Sequence, residues 1–295
     1  LVTVGATEAI LATILALVQP GDEVVTFEPC YDSYAASIAL AGGVRRTVPL
    51  RFPDWSFDEG SLRTTFSDRT RMVLLNTPHN PTGKVFSRSE IDLICRFARE
   101  RGACVVTDEV YEHLTFDGAD HICVASLPGM WDHTLTISSA GKTFSTTGWK
   151  VGWVSGPAEA VAAVRAVKQF VTFVGSGPFQ PAVAVGLGLG DDVYAGLATS
   201  LERKRDLLVA GLRTAGLPVS VPAGTYFVVA DAAALGATDA LTFCREIPAR
   251  AGVVGVPVSV FCDDKKATAS LVRFAFCKRD DILLEAVERL AALRG

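Results

Sequence analysis

Three apolar, β-branched runs of this 295-residue chain lead into residues able to do chemistry. "RMVLLN" (71–76) leads to Asn80, "ACVVTD" (103–108) ends on Asp108, and "TLTISS" (134–139) leads to Lys142. Taken singly, polar residues after a strand are ordinary turn formers. In an open α/β sheet, however, ligands bind outside the carboxyl ends of the strands, so three such endings predict one shared site. Lys142 stands among Ser, Gly and Thr, small residues that leave room for a planar ligand, and its amine could form a Schiff base with an aldehyde cofactor. An isolated lysine would more simply lay its stem along the surface. Asp108 is the natural complement, because pyridoxal 5′-phosphate (PLP) enzymes set an acidic group against the cofactor's ring nitrogen. Alone it would read as a helix cap or an Asx turn. A phosphate needs backbone amides at a helix N-terminus, a hydroxyl and a cation. Gly5, Ala6 and Thr7 in "GATEAI" offer the first, Ser139 the second and Lys150 the third. A lysine buried without a partner costs free energy, so Lys142 and Lys150 each need a function or a route to water.

The elements that must hold these residues alternate in type. A helix opens at "GATEAI" and stops at Pro20 and Gly21; a strand follows over 23–27, a helix near 31–41 and a strand near 44–48. Further strands are expected at 71–76, 103–108, 134–139 and 151–156, with a helix over about 87–101. This pattern predicts an α/β fold with a mostly parallel sheet and helices on both faces. After "GSGPFQP" the texture changes. A long polar helix from Asp191 leads to short strands in "TYFVVAD" and "LVRFAF" and two more helices, predicting a large domain over 1–189 and a smaller α+β domain over 190–295.

Composition narrows the function. The chain is 49% hydrophobic and 20% charged with a net charge of -4, which gives no electrostatic footprint for nucleic acid and points to small-molecule substrates. No apolar run is long enough to span a membrane. The seven cysteines form no CxxC pair and mostly lie in apolar runs, so buried thiols in a reducing, cytoplasmic setting are expected. The four histidines show no metal-ligand spacing, His79 is expected to line the "PHNPTG" loop, and "CDDKK" reads as a solvated loop. No metal site is expected.

Six motifs, "GATEA", "EPCYDSY", "NTPHNPTGK", "TDEVYEHLTFDG", "SSAGKTFSTTGWKVGW" and "LVRFAFCK", together resemble the class I and II aminotransferases, the PLP enzymes of fold type I. The resemblance covers nearly the whole chain. It implies that Lys142 carries PLP and that Lys150 holds its phosphate with Ser139 and the amides of Gly5, Ala6 and Thr7. It further implies that Tyr31 stacks on the pyridine ring, Asp108 meets the ring nitrogen, and Asn80 and Tyr111 donate to the phenolic oxygen. Arg273 would clamp the substrate α-carboxylate, beside Asn80, through the bidentate geometry an arginine supplies. The implied reaction is a ping-pong exchange of an amino group between an L-amino acid and a 2-oxo acid or aldehyde, in a homodimer.

Within the family, "PHNPTG", "DEVYEHL", "GTYF" and "FCKRDD" look most like the branch of N-succinyldiaminopimelate, methionine, glutamine and kynurenine aminotransferases. N-succinyldiaminopimelate with glutamate as donor is the first expectation. A cysteine-conjugate β-lyase is the alternative. Family members carry a segment ahead of "VTVGATEA", so an N-terminal part is expected to be missing here, and an inactive fragment is a third reading.

Overall fold

The computed structural model describes residues 1–294. In chain order its elements are β1 (Val2–Val4), α1 (Gly5–Leu17), β2 (Glu23–Glu28), α2 (Asp32–Leu40), β3 (Val44–Pro49) and α3 (Glu59–Thr65). There follow β4 (Thr70–Asn76), α4 (Arg88–Glu100), β5 (Cys104–Asp108), β6 (Thr134–Ser139), α5 (Ala140–Thr143) and β7 (Val151–Ser155). Next come α6 (Ala158–Val171), α7 (Phe179–Leu187), α8 (Asp191–Thr214), β8 (Val219–Ser220) and β9 (Phe227–Asp231). The chain closes with α9 (Ala240–Ala251), β10 (Val256–Pro257), β11 (Leu271–Ala275) and α10 (Asp280–Ala291).

Seven strands make the main sheet, in the order β1-β7-β6-β5-β4-β2-β3. The pairings from β3 through β6 are parallel, while β7 runs antiparallel to β6 and β1 antiparallel to β7. Every residue of β2 and all but one of β4 are buried, as a parallel sheet covered on both faces requires. The edge strand β3 is more open, with Val44, Arg46 and Pro49 exposed and only Val48 buried. Ser87 begins α4 with a reciprocal capping box to Glu90, which explains why this helix starts where the sequence predicts.

A second, four-stranded antiparallel sheet has the order β10-β11-β9-β8, with α8 packed on β9 and α10, and α9 on β10. Its core is continuous with the main body: Val110, Tyr111, Leu114 and Phe116 share one apolar cluster with Leu208, Val228 and Phe274. That continuity anchors the segment after β5 against the second sheet.

Several elements lack a legible signal. β1 is three residues long and needs β7 as a template. α3 has little apolar periodicity and depends on Asp58, whose carboxylate accepts the Ser61 N–H at 2.7 Å. The cysteines divide more evenly than expected: Cys30, Cys95 and Cys262 are buried, but Cys277 is exposed. "CDDKK" is also more than a solvated loop. Asp263 pairs with Arg45, and its N–H donates to Glu28.

Candidate active site

Sheet register brings the three strand endings together. Asn76 lies opposite Asp108, and Asp108 opposite Ile137, two residues before Ser139. The carboxyl ends of β4, β5 and β6 therefore form one edge, and a cleft opens there. Gly5, Ala6, Thr7, Tyr31, Asn80, Asp108, Tyr111, Ser139, Lys142 and Lys150 all line it. Arg273 comes from β11 in the second sheet and reaches the same place by donating from Nη1 to Asn80 Oδ1 at 2.7 Å. Every residue expected at the site is thus at or against one cleft.

Asp108 forms the buried floor. Loss of water pushes its carboxyl up to about 6, against the opposing hydrogen bond that Tyr34 donates to Oδ2 at 2.6 Å. Asn76 braces the neighbouring turns. Its Nδ2 donates to the Asp108 carbonyl at 2.8 Å, and its Oδ1 accepts the Asn80 N–H at 2.7 Å. With Oδ1 occupied by Arg273, Asn80 is left its Nδ2 to offer to a ligand.

One wall is the start of α1. Gly5 has φ +74°, a conformation natural to glycine, the N-cap residue Val4 offers no side-chain bond to the first turn, and Gly5, Ala6 and Thr7 line the cleft. Such a terminus attracts anions. Gly152 permits this placement, because a Cβ there would lie 2.5 Å from the Gly5 carbonyl carbon. Lys150 brings a cation to the same wall from a backbone at φ 53°. Ser176 Oγ lies 2.8 and 2.7 Å from the Trp149 and Lys150 carbonyls, sharing its one proton between them, and so holds that turn. Lys150 is exposed and Lys142 half-buried, so neither has the burial problem their apolar surroundings suggest.

Lys142 Nζ faces two aromatic rings, 5.9 Å from the centroid of Tyr111 and 5.7 Å from that of Tyr226. The Arg273 guanidinium stacks 4.0 Å from the centroid of Phe227 and 4.9 Å from that of Phe261. It has no carboxylate partner among the described residues, and burial lowers its pKa. A cation shielded in this way is ready to meet a carboxylate from outside.

A scan against family models matches residues 1–290 to aminotransferase class I and II. The chain is 50% identical to the probable N-succinyldiaminopimelate aminotransferase DapC of Mycobacterium tuberculosis, over 99% of this chain and 76% of that protein. This chain belongs to the class I and II aminotransferases.

The solved structure of the M. tuberculosis N-succinyldiaminopimelate aminotransferase superposes with a TM-score of 0.96 at 51% identity, covering 99% of this chain and 77% of that one. The Escherichia coli methionine aminotransferase is 40% identical, with coverages of 99% and 75%. Its solved structure superposes with a TM-score of 0.94. Aminotransferases of this family are PLP-dependent transaminases with the type I fold, and the cleft suits that cofactor. It offers an anion site at a helix start, an amine, and a buried carboxyl that a protonated ring nitrogen would relieve of its unfavourable charge.

Three residues around the aminotransferase cleft, Tyr34, Tyr226 and Thr147, were given no role from sequence, and Asn76 was marked only as part of the 76–80 strand ending. Tyr34 follows Tyr31 by one helical turn in "EPCYDSY", a spacing that could have marked it. Asn76 is the last residue of its strand, and Tyr226 stands in "GTYF"; Thr147 carries no signal beyond its neighbours. The structure also gathers Glu109, Glu112 and His121, whose ligand atoms lie within 4.8 Å of one another. They already bond within the protein: His121 Nε2 to Glu109 at 2.8 Å, Thr107 to Glu109 at 2.7 Å and Ser138 to Glu112 at 2.7 Å. His79 is a core residue, held neutral with its pKa pushed down to about 3 by burial, and its Nδ1 lies 2.7 Å from Thr82 Oγ1.

Proposed function

We propose that this chain is the catalytic body of an N-succinyldiaminopimelate aminotransferase of lysine biosynthesis, with glutamate as amino donor. The observation that carries this reading is the convergence of Lys142, Asp108 and the α1 N-terminus on one cleft, in a chain 50% identical to a protein of that name.

Bound PLP would supply an electron sink for the electrons released at the substrate's α-carbon. Lys142 Nζ is the group to hold it covalently and, once released, to move a proton from that carbon. Asp108 would keep the ring nitrogen protonated by meeting it with a carboxylate, and Tyr34 holds that carboxylate in place. The amides of Gly5, Ala6 and Thr7, with Ser139 and Lys150, would bind the phosphate. Tyr31 would cover one face of the ring, and Asn80 and Tyr111 would donate to the phenolic oxygen. Arg273, steered by Asn80, would fix the α-carboxylate so that the bond to be broken is held near Lys142.

The division into a large unit over 1–189 and a small unit over 190–295 belongs to the same reading, with Arg273 brought to the cleft from the small unit. So does a homodimer. Phe170, Phe173, Val174 and Val185 are all more than 60% exposed, large apolar side chains that a second copy would cover. Seven free cysteines support a reducing, cytoplasmic setting, and no described helix is long and apolar enough to cross a membrane.

The test is a visible absorbance titration with PLP, then glutamate, then N-succinyl-2-amino-6-oxopimelate. A lysine-bound band that bleaches with glutamate and returns with the oxo acid is expected, and Lys142→Ala should show no such band. Failure of the band to return would reject the substrate, and return with an aromatic oxo acid instead would favour a kynurenine transaminase. Pyruvate released from a cysteine S-conjugate without any acceptor would favour the β-lyase.

A further inference from the structure

Glu8 is a buried carboxylate in the first turn of α1, beside the amides that would bind the cofactor phosphate, and the proposed mechanism gives it no task. Its two oxygens tie that turn to two other parts of the chain. Oε2 accepts the N–H of Val4, the residue ahead of the helix, and Oε1 accepts the hydroxyl of Thr172, the residue just past α6. The Thr172 hydroxyl in turn lies 3.4 Å from Nζ of Lys168, a buried lysine whose amine also donates to the Phe173 carbonyl at 2.9 Å. A hydroxyl that accepts from an ammonium is polarised and donates more strongly, so Lys168, Thr172 and Glu8 form a chain in which each bond reinforces the next. The residues that follow repeat the attachment. Gly175 packs so closely on Val4 that a Cβ there would fall 2.3 Å from Val4 Cγ2, and Ser176 Oγ lies within hydrogen-bond reach of the Trp149 and Lys150 carbonyls. Phe173 and Ser176 take φ of 60° and 57° in doing so, left-handed conformations that such residues keep only where their surroundings hold them.

We propose that Thr172 is a positioning residue for the cofactor phosphate, acting through Glu8 to fix the first turn of α1 so that the amides of Gly5, Ala6 and Thr7 converge on one anion. The proposal rests on the reading of the α1 terminus as the phosphate site given above. Hydrogen bonds weaken steeply as they bend, so several amides serve one phosphate well only when the turn that carries them cannot rock. The N-cap residue Val4 supplies no side-chain clamp for that turn. Glu8 supplies one instead by taking the Val4 N–H, while Gly5, Ala6 and Thr7 line the cleft. Thr172 keeps the Glu8 carboxylate in that pose from a different helix. Because Thr172 is otherwise exposed, removing its hydroxyl leaves the core packing as it is.

The experiment compares PLP with pyridoxal, which has the same ring and aldehyde but no phosphate, reading the dissociation constant of each from the visible band of the lysine-bound ligand. Thr172→Val should weaken PLP about tenfold, as loss of one hydrogen bond to a charged group does, and leave pyridoxal unchanged. Thr172→Ser should keep the wild-type affinity for PLP, and Glu8→Ala, which also releases Val4, should weaken PLP further. Unchanged PLP affinity in Thr172→Val overturns the proposal and leaves the phosphate site itself intact. An equal loss of both ligands overturns it too, because the hydroxyl would then support the fold rather than the phosphate. If wild type binds PLP no more tightly than pyridoxal, the phosphate reading of the α1 terminus fails and this proposal falls with it. The pyridoxal band reports that the cleft of each variant is folded.

Discussion

Asp108 is the cleft carboxyl whose chemistry the fold changes. Its pKa, raised to about 6 from an ordinary value near 3.8, means that the folded state holds this proton more tightly than the unfolded chain does. Folding without a cationic partner is therefore favoured by Asp108 at pH 4 and penalised increasingly as pH rises through 6. Asp108→Asn removes the penalty. The cofactor-free variant should be more stable than wild type by on the order of 2 kcal/mol at pH 7, with the difference fading towards pH 4. His79, with its depressed pKa, has the opposite slope below neutrality, but it is common to both proteins and cancels. Urea unfolding at the two pH values measures the effect. The same variant should bind PLP far more weakly, because the ring nitrogen loses its ionic partner.

At the scale of elements, the phosphate wall depends on β7 passing close beneath the first turn of α1. Gly152→Ala would place a methyl 2.5 Å from the Gly5 carbonyl carbon and 2.7 Å from the Ala6 nitrogen, both backbone atoms that can yield only by moving the helix start. A cost of about 1–3 kcal/mol is expected, as for overpacking elsewhere. PLP affinity should fall at least as steeply, since the displaced amides are those that face the phosphate. A thermal melt beside a PLP titration checks both. An unchanged PLP affinity in a destabilised protein would show that the wall tolerates the shift.

At the scale of the whole molecule, the exposed apolar face lies at the end of α6, the turn after it and α7. Trp149 stacks on Phe179 there, 4.8 Å between centroids, directly before Lys150. The face that would meet a second copy is thus continuous with the wall of the cleft. Replacing Phe170 and Phe173 together by Asp should convert a dimer to a monomer in light scattering, because neither ring is held by the chain's own core. PLP retention should drop in step. If wild type is already monomeric at micromolar concentration, the dimer is rejected.

Most of the main sheet was legible because its central strands are buried on both faces and rich in apolar and β-branched residues, and β4, β5 and β6 each lead into a residue of the cleft. Asn80, Asp108 and Lys142 could be chosen from sequence for that reason, since the strand that places each also announces it. Arg273 needed the family resemblance, for an arginine on a short strand has several ordinary explanations. The sequence by itself determined the order of the central parallel strands, their ends and the types of group at the cleft, all consequences of local pattern. Only the tertiary structure decided that Tyr34 donates to Asp108, that Tyr226 meets Tyr111, and that Gly152 lies beneath Gly5. Those contacts join residues distant along the chain or turned by one helical step, and no periodicity records which neighbour a folded backbone will bring.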